Sequence, residues 1–181
     1  MCCGPNSRRC FRGGVWSWHW SNFIQVIGVE SHVIVELHPQ VCTELQRWAS
    51  HRRNVTAIND SWQHHTEKLE AESFDGILFD TYPLRQSQLH RNHFEFFHEA
   101  SRLLKPSGVF TYYSDEETHI SAEHQRMLLR YFSEFAVKIV QVSPPSNCQY
   151  WRASTMAVIV ARKGNGTTAT PRTLGAGNAA R

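Results

Sequence analysis

Three short apolar runs, each ending in an acid, constrain this chain more than any other feature. They are "HVIVE" at 32–36, "NVTAIND" at 54–60 and "FDGILFD" at 74–80. Apolar text without alternation, four to six residues long, suits a strand buried on both faces, and such strands belong to parallel sheets covered by helices. The text between and after these runs is helical. Pro39 opens a segment in which Val41, Leu45 and Trp48 recur at i, i+4 and i+7. A second helix is expected over 88–104 with Phe94, Phe97, Leu103 and Leu104 inward, closed by Lys105-Pro106-Ser107-Gly108. A third is expected over 122–135 with Met127, Leu128, Tyr131 and Phe132 apolar. Further strands are expected at 109–113, 136–142 and 155–161. The last two flank a polar loop containing Pro144-Pro145, too short for a helical crossover, so the final pair is expected to be antiparallel. The fold class is therefore α/β, mainly parallel, with an antiparallel C-terminal strand.

Composition narrows the function. The 181 residues include 41% hydrophobic and 19% charged side chains, with a net charge of +3. That charge is small and scattered, which argues against a nucleic-acid partner. No apolar run approaches the ~18 residues of a membrane span. The N-terminus has no continuous apolar leader, and Cys2, Cys3, Cys10, Cys42 and Cys148 show no zinc-type spacing. A cytoplasmic protein with reduced thiols is the expectation. Eleven histidines raise the question of a metal. His64-His65 and His90/His93 are the tightest groups, but no acid or cysteine stands at a ligand spacing from them. Solvated histidines and no metal are expected.

In open α/β sheets, ligands gather at the carboxyl ends of strands. Glu36, Asp60 and Asp80 all fall there and are expected to face one crevice. An acid in the position of Glu36 can accept from ribose hydroxyls, or be a solvated loop carboxylate. Trp62 can stack on an adenine ring, or be a tryptophan at the core's edge. Asp80 is the sharpest candidate: a carboxylate after a buried strand needs a cation or several donors, and a guanidinium offers paired ones. Its alternative role is to cap local backbone. Tyr82 and Pro83 would stiffen the turn behind it. Asp115-Glu116-Glu117 adds acids near the same rim, which would favour a cationic ligand or form a solvated loop.

Over roughly 29–163, the stretches "HVIVE", "LQRWA", "NVTAINDSW", "FDGILFDTYPL", "HFEFF", "RLLKPSGVFTYY" and "SPPSNCQYW" together resemble the guanidinoacetate N-methyltransferase family. "FDGILFDTYPL" is the most specific of them, and "LLKPSG" is common to many methyltransferases. The resemblance implies a Rossmann-like class I methyltransferase sheet, S-adenosylmethionine as cofactor and a small guanidino substrate in creatine biosynthesis. It implies that Glu36 holds the cofactor ribose with Leu37 and His38 lining the same loop, and that Ser61 and Trp62 flank the adenine. It implies that Asp80 sits between cofactor and substrate as the catalytic and substrate-binding carboxylate. The loop after Tyr113 touches the substrate in the family; here it reads Ser114-Asp115-Glu116, more acidic than the family pattern. Arginine or another guanidino compound is the alternative acceptor, and a non-catalytic interaction module the alternative of another class.

Two departures weigh against activity. The family uses a second carboxylate from an N-terminal segment, and none is found here. Family members also carry a first strand, a G-x-G loop and a helix. Residues 1–28 read instead as irregular, with Gly13-Gly14 unaccompanied by strand or helix text and tryptophans at 16, 18 and 20. Tryptophan's single codon becomes glycine when read one nucleotide later, so this stretch is a candidate mis-framed segment. A methyltransferase domain over 29–163, lacking its first strand and glycine loop, is expected to fold or bind cofactor poorly. The polar tail 164–181 is expected to be disordered.

Overall fold

The structure is a computed structural model that describes residues 9–13, 18–81, 93–114, 116–148 and 151–165, with backbone alone at 9–13, 18 and 19. Its strands are β1 (Arg9–Gly13), β2 (Ser31–Glu36), β3 (Val55–Asn59), β4 (Phe74–Phe79), β5 (Leu104–Ser114), β6 (Glu134–Gln141) and β7 (Thr155–Arg162). Its helices are α1 (Trp18–Ile27), α2 (Pro39–Ala49), α3 (Trp62–Thr66), α4 (Phe94–Leu103) and α5 (Ala122–Tyr131). One seven-stranded sheet runs β3-β2-β1-β4-β5-β7-β6. β1 to β5 are parallel, and β7 is antiparallel to both β5 and β6. The parallel sheet and its antiparallel C-terminal strand are as the sequence text implies.

The N-terminal segment is not. Where the sequence reads as irregular and short of a first strand, Arg9–Gly13 forms the central strand, paired with β2 from Arg9↔Ser31 to Gly13↔Val35 and with β4 from Cys10↔Gly76 to Gly13↔Phe79. The physical reason is the sheet itself. Without β1, the facing edges of β2 and β4 would leave a row of backbone donors and acceptors unpaired inside the molecule. Five residues suffice to fill that row whatever their local pattern, because tertiary pairing overrides propensity. The expectation of a missing central strand is therefore corrected. Gly13 is the last residue of β1, and α1 begins at Trp18; Gly14 lies outside the described residues.

Each remaining element follows from its residues, with small shifts. Pro39 stands in the first turn of α2. The buried stripe of α2 is Cys42, Leu45 and Ala49, one residue round from the expected stripe on two of three positions. Trp48 is instead half-buried, donating Nε1–H to Asn22 Oδ1 at 3.1 Å with Arg52 over its ring. Within the described residues, the helix expected from 88 runs only Phe94–Leu103, and the chain then passes directly into β5 at Leu104. A register shift between Phe74 and Gly76 absorbs the Lys105-Pro106-Ser107-Gly108 stretch. Gly108 is required there, since a Cβ would sit 2.8 Å from Lys105 O. α5 stops at Tyr131 rather than 135 because Phe132 turns extended to stack on Phe110, ring centroids 5.4 Å apart, and Glu134 starts β6.

α4 and α5 cover one face of the sheet. Phe79, Phe96, Phe97, Leu103, Leu104, Phe110, Leu128 and Ile159 form its core. Phe94, Met127 and Tyr131 are only partly buried against it. On the other face, Leu78 meets Ile24 and Val29. β4 is thus buried on both faces, which explains its unbroken apolar text. His32, in its apolar strand, is buried, and so are His93 and His124, where solvated helix and loop histidines are expected. No described helix is long and apolar enough to cross a membrane.

Candidate active site

The chain leaves β1 toward β2 and β3 on one side and returns to β4 and β5 on the other, so the point of reversal lies between β1 and β4. Ligands bind at the carboxyl ends of strands beside such a reversal. The register fixes what stands there. Val35, Gly13, Phe79 and Tyr112 lie side by side in β2, β1, β4 and β5. The next residue out on β2 is Glu36, on β4 Asp80 and on β5 Tyr113. Glu36 and Asp80 are therefore separated by one strand, about 10 Å across the sheet.

Glu36 is 2% exposed. Its Oε1 accepts from the His38 backbone N–H at 2.7 Å, and this is its one side-chain hydrogen bond among the described residues. A buried carboxylate so thinly supplied with donors is costly unless a ligand brings more. The loop it closes is pinned from β3: Asn59 Nδ2 donates to Glu36 O at 2.8 Å and Leu37 O at 3.0 Å, and Asp60 N–H donates to Glu36 O at 3.2 Å. Leu37 and His38 are exposed on that loop. Cys42 lies beneath; burial and then the charge of Glu36 push its thiol pKa up, which keeps it protonated.

Asp60 is engaged by groups close to it in sequence. Its carboxylate meets His64 Nδ1 at 2.9 Å and Lys68 Nζ at 3.5 Å, and accepts from Ser61 N–H at 2.8 Å. The hydrogen bond from His64 is the largest influence on its pKa, which is lowered despite some desolvation. Asp60 stands at the carboxyl end of β3 as expected, and its carboxylate is engaged by His64, Lys68 and the first turn of its own helix. Ser61 caps α3, accepting from His64 N–H at 3.2 Å. Trp62 is half-buried with its ring edge-on to Phe96 and Phe79, centroids 5.0 and 5.9 Å away. Its indole is thus held at the edge of the core, just past the carboxyl end of β3.

Asp80 follows directly on fully packed β4 and is half-buried, as is Thr81. Tyr82, Pro83, His90 and Asp115 lie outside the described residues. Trp20 of α1 packs on Tyr113, centroids 5.8 Å apart. Of the acids after β5, Glu116 is turned inward rather than toward a cationic ligand. Its Oε1 accepts from Ser121 N–H at 2.8 Å and its Oε2 meets His124 Nδ1 at 2.7 Å. Burial works to raise its pKa, yet these bonds hold it below the ordinary carboxylate value. Among the described residues, no group of three or more potential ligands is arranged to hold a metal.

S-adenosylmethionine, the cofactor that the family resemblance implies, fits the residues present. A buried carboxylate with unmet acceptor capacity suits a diol, and a fixed indole suits a purine. Sequence reasoning missed Asn59, Trp20 and the buried His124. A serine three residues before a histidine, "SAEH", marks a helix start but not the histidine's burial.

A profile of the family described as guanidinoacetate N-methyltransferase matches residues 20–163. A protein arginine N-methyltransferase 2 from Kluyveromyces lactis is 31% identical over 98 residues, 51% of this chain and 23% of that protein. The chain spans about a fifth of the length of the curated relatives it matches. A putative S-adenosylmethionine-dependent methyltransferase from Listeria monocytogenes is similar in fold, with a TM-score of 0.61 at 12% identity over 88% of this chain and 91% of that one. Spermidine synthase from Thermotoga maritima is also similar, with a TM-score of 0.60 at 15% identity over 90% of this chain and 55% of that one.

Proposed function

Because the chain belongs to the guanidinoacetate N-methyltransferase family, we propose that it methylates a guanidino nitrogen of a small molecule, guanidinoacetate first among them. The observation that carries this reading is the pair of carboxylates, Glu36 and Asp80, one strand apart at the reversal of the sheet. In this reading Glu36 holds the ribose, Leu37 and His38 line the loop beside it, and Ser61 and Trp62 flank the adenine. S-adenosylmethionine, when bound, would supply an electrophilic methyl group, its S–CH3 bond breaking with the electron pair left on sulfur as S-adenosylhomocysteine.

Asp80 does the rest of the chemistry. A guanidinium has no free lone pair, so its nitrogen must shed a proton as the new N–C bond forms. Asp80 accepts two parallel N–H bonds, which fixes the acceptor nitrogen's direction. It then takes the shed proton and passes it to solvent. Half-burial strengthens these bonds relative to water without leaving the carboxylate stranded.

A protein arginine acceptor is the second reading, favoured by the arginine N-methyltransferase relatives. Both acceptors present the same guanidino group to Asp80. Transfer of labelled methyl to guanidinoacetate, to arginine and to an arginine-bearing peptide separates them. The proposal expects guanidinoacetate to be methylated and Asp80→Asn to lose at least a hundredfold, the lower end of a general base's contribution. Transfer to the peptide alone moves the assignment to a protein acceptor. No transfer to any acceptor leaves a Rossmann-like interaction module.

A further inference from the structure

We infer that Glu116 and His124 are positioning residues: with Tyr112 they form a buried relay that fixes the β5–α5 segment over the carboxyl edge and so shapes the acceptor's place beside Asp80. The inference rests on the guanidino-acceptor reading and adds to it residues that touch neither ligand.

The relay is continuous. Tyr112 Oη meets His124 Nε2 at 2.5 Å, and His124 Nδ1 meets Glu116 Oε2 at 2.7 Å. An ionised carboxylate only accepts, so His124 Nδ1 carries a hydrogen and donates it to Glu116, while Nε2 joins the ring to the tyrosine hydroxyl. His124 is 1% exposed. The rings of Phe94, Phe97 and His93 enclose it, with centroids 5.1, 6.2 and 5.9 Å away. His93 also packs 4.8 Å from Tyr112. The polar chain therefore runs through an aromatic core, where an unmade hydrogen bond is expensive.

Glu116 converts this buried chain into a clamp on the surface segment. Its N–H donates to Ser114 Oγ at 3.1 Å, and its carbonyl accepts from Ala157 N–H at 3.2 Å. Its carboxylate accepts from Ser121 N–H, at the start of α5. Ser121 Oγ in turn accepts from His124 N–H at 3.2 Å. One side chain thus joins the end of β5, the start of α5 and the core, while its own backbone is held to β7. β5 is the neighbour of β4, and Tyr112 is paired with Phe79, the residue before Asp80. The segment the clamp holds leaves the sheet beside that carboxylate.

The test compares Glu116→Ala, Glu116→Gln and Tyr112→Phe with the parent chain. Calorimetry gives affinity for S-adenosylmethionine, and for guanidinoacetate on protein loaded with S-adenosylhomocysteine. Amide exchange follows residues 116–121. The inference expects Glu116→Ala to weaken guanidinoacetate about tenfold and to speed exchange in that segment, with cofactor affinity within twofold. Glu116→Gln, which keeps one acceptor oxygen, restores part of both. Tyr112→Phe acts in the same direction, less strongly, and carries the test should Glu116→Ala fail to fold. Equal guanidinoacetate affinity in all variants, or acceptor and cofactor affinities falling together, overturns it. A parent chain that binds cofactor but no guanidino compound overturns the functional reading instead, and the exchange data then report on the clamp alone.

Discussion

Replacing Glu36 by Gln separates a ligand-binding carboxylate from a structural one. The side chain is 2% exposed, and its one described hydrogen bond is the 2.7 Å bond from the His38 backbone. Gln keeps the shape and a carbonyl oxygen that can accept this bond, and it removes a buried charge. Folding stability should change by no more than about 1 kcal/mol, a shift of a few degrees in Tm for a chain of this size. Cofactor binding should respond differently. A hydrogen bond to a charged acceptor contributes about 1 kcal/mol more than one to a neutral acceptor. Two ribose hydroxyls then make the difference about 2 kcal/mol, roughly thirtyfold in Kd. Calorimetric titration with S-adenosylmethionine reads that ratio, and a thermal melt reads the stability. A variant whose affinity stays within threefold of the parent refutes the assignment of Glu36 to the ribose. A melt lowered by ten degrees or more would show that the carboxylate serves the fold instead.

Other expectations test the fold and its charges. Phe11→Pro should lower Tm by many degrees, because proline in a central strand removes a ladder bond; an unchanged melt would return residues 9–13 to the status of an irregular segment. Phe97→Ala should cost about 3–5 kcal/mol in urea unfolding, since the ring is fully buried among Phe94, Phe110, Tyr112 and Phe132. Glu116 and Glu99 both have carboxyl pKa values below the ordinary one: burial opposes this in each, and Ser121 with His124, or Arg102, outweighs it. Their contribution to stability is therefore present above the unfolded-state pKa and is lost as pH falls through the lower folded values. Tm should drop on acidification below about pH 5, less steeply in Glu116→Gln, and parallel curves would contradict the clamp.

The strands at 31–36, 55–59 and 74–79 could be read directly, because burial on both faces writes itself as unbroken apolar text. Their carboxyl ends named Glu36 and Asp80 for the same reason: a chain leaving a buried strand must change polarity at the edge. The text could not reveal that Arg9–Gly13 fills the sheet's centre, since that strand's pairing comes from β2 and β4 rather than from its own pattern. Nor could it show that Asp60 is engaged by His64 four residues on, while Glu36 is buried with one described hydrogen bond. The buried histidines were misread because solvation is a property of neighbours. His124 is inside because Tyr112 and Glu116, distant in register and adjacent in space, supply both of its ring nitrogens with partners. Local physics thus wrote the strands, their ends and the family into the sequence. Only the packed structure decided which polar groups the fold itself engages, because hydrogen-bond satisfaction depends on contacts that no single segment contains.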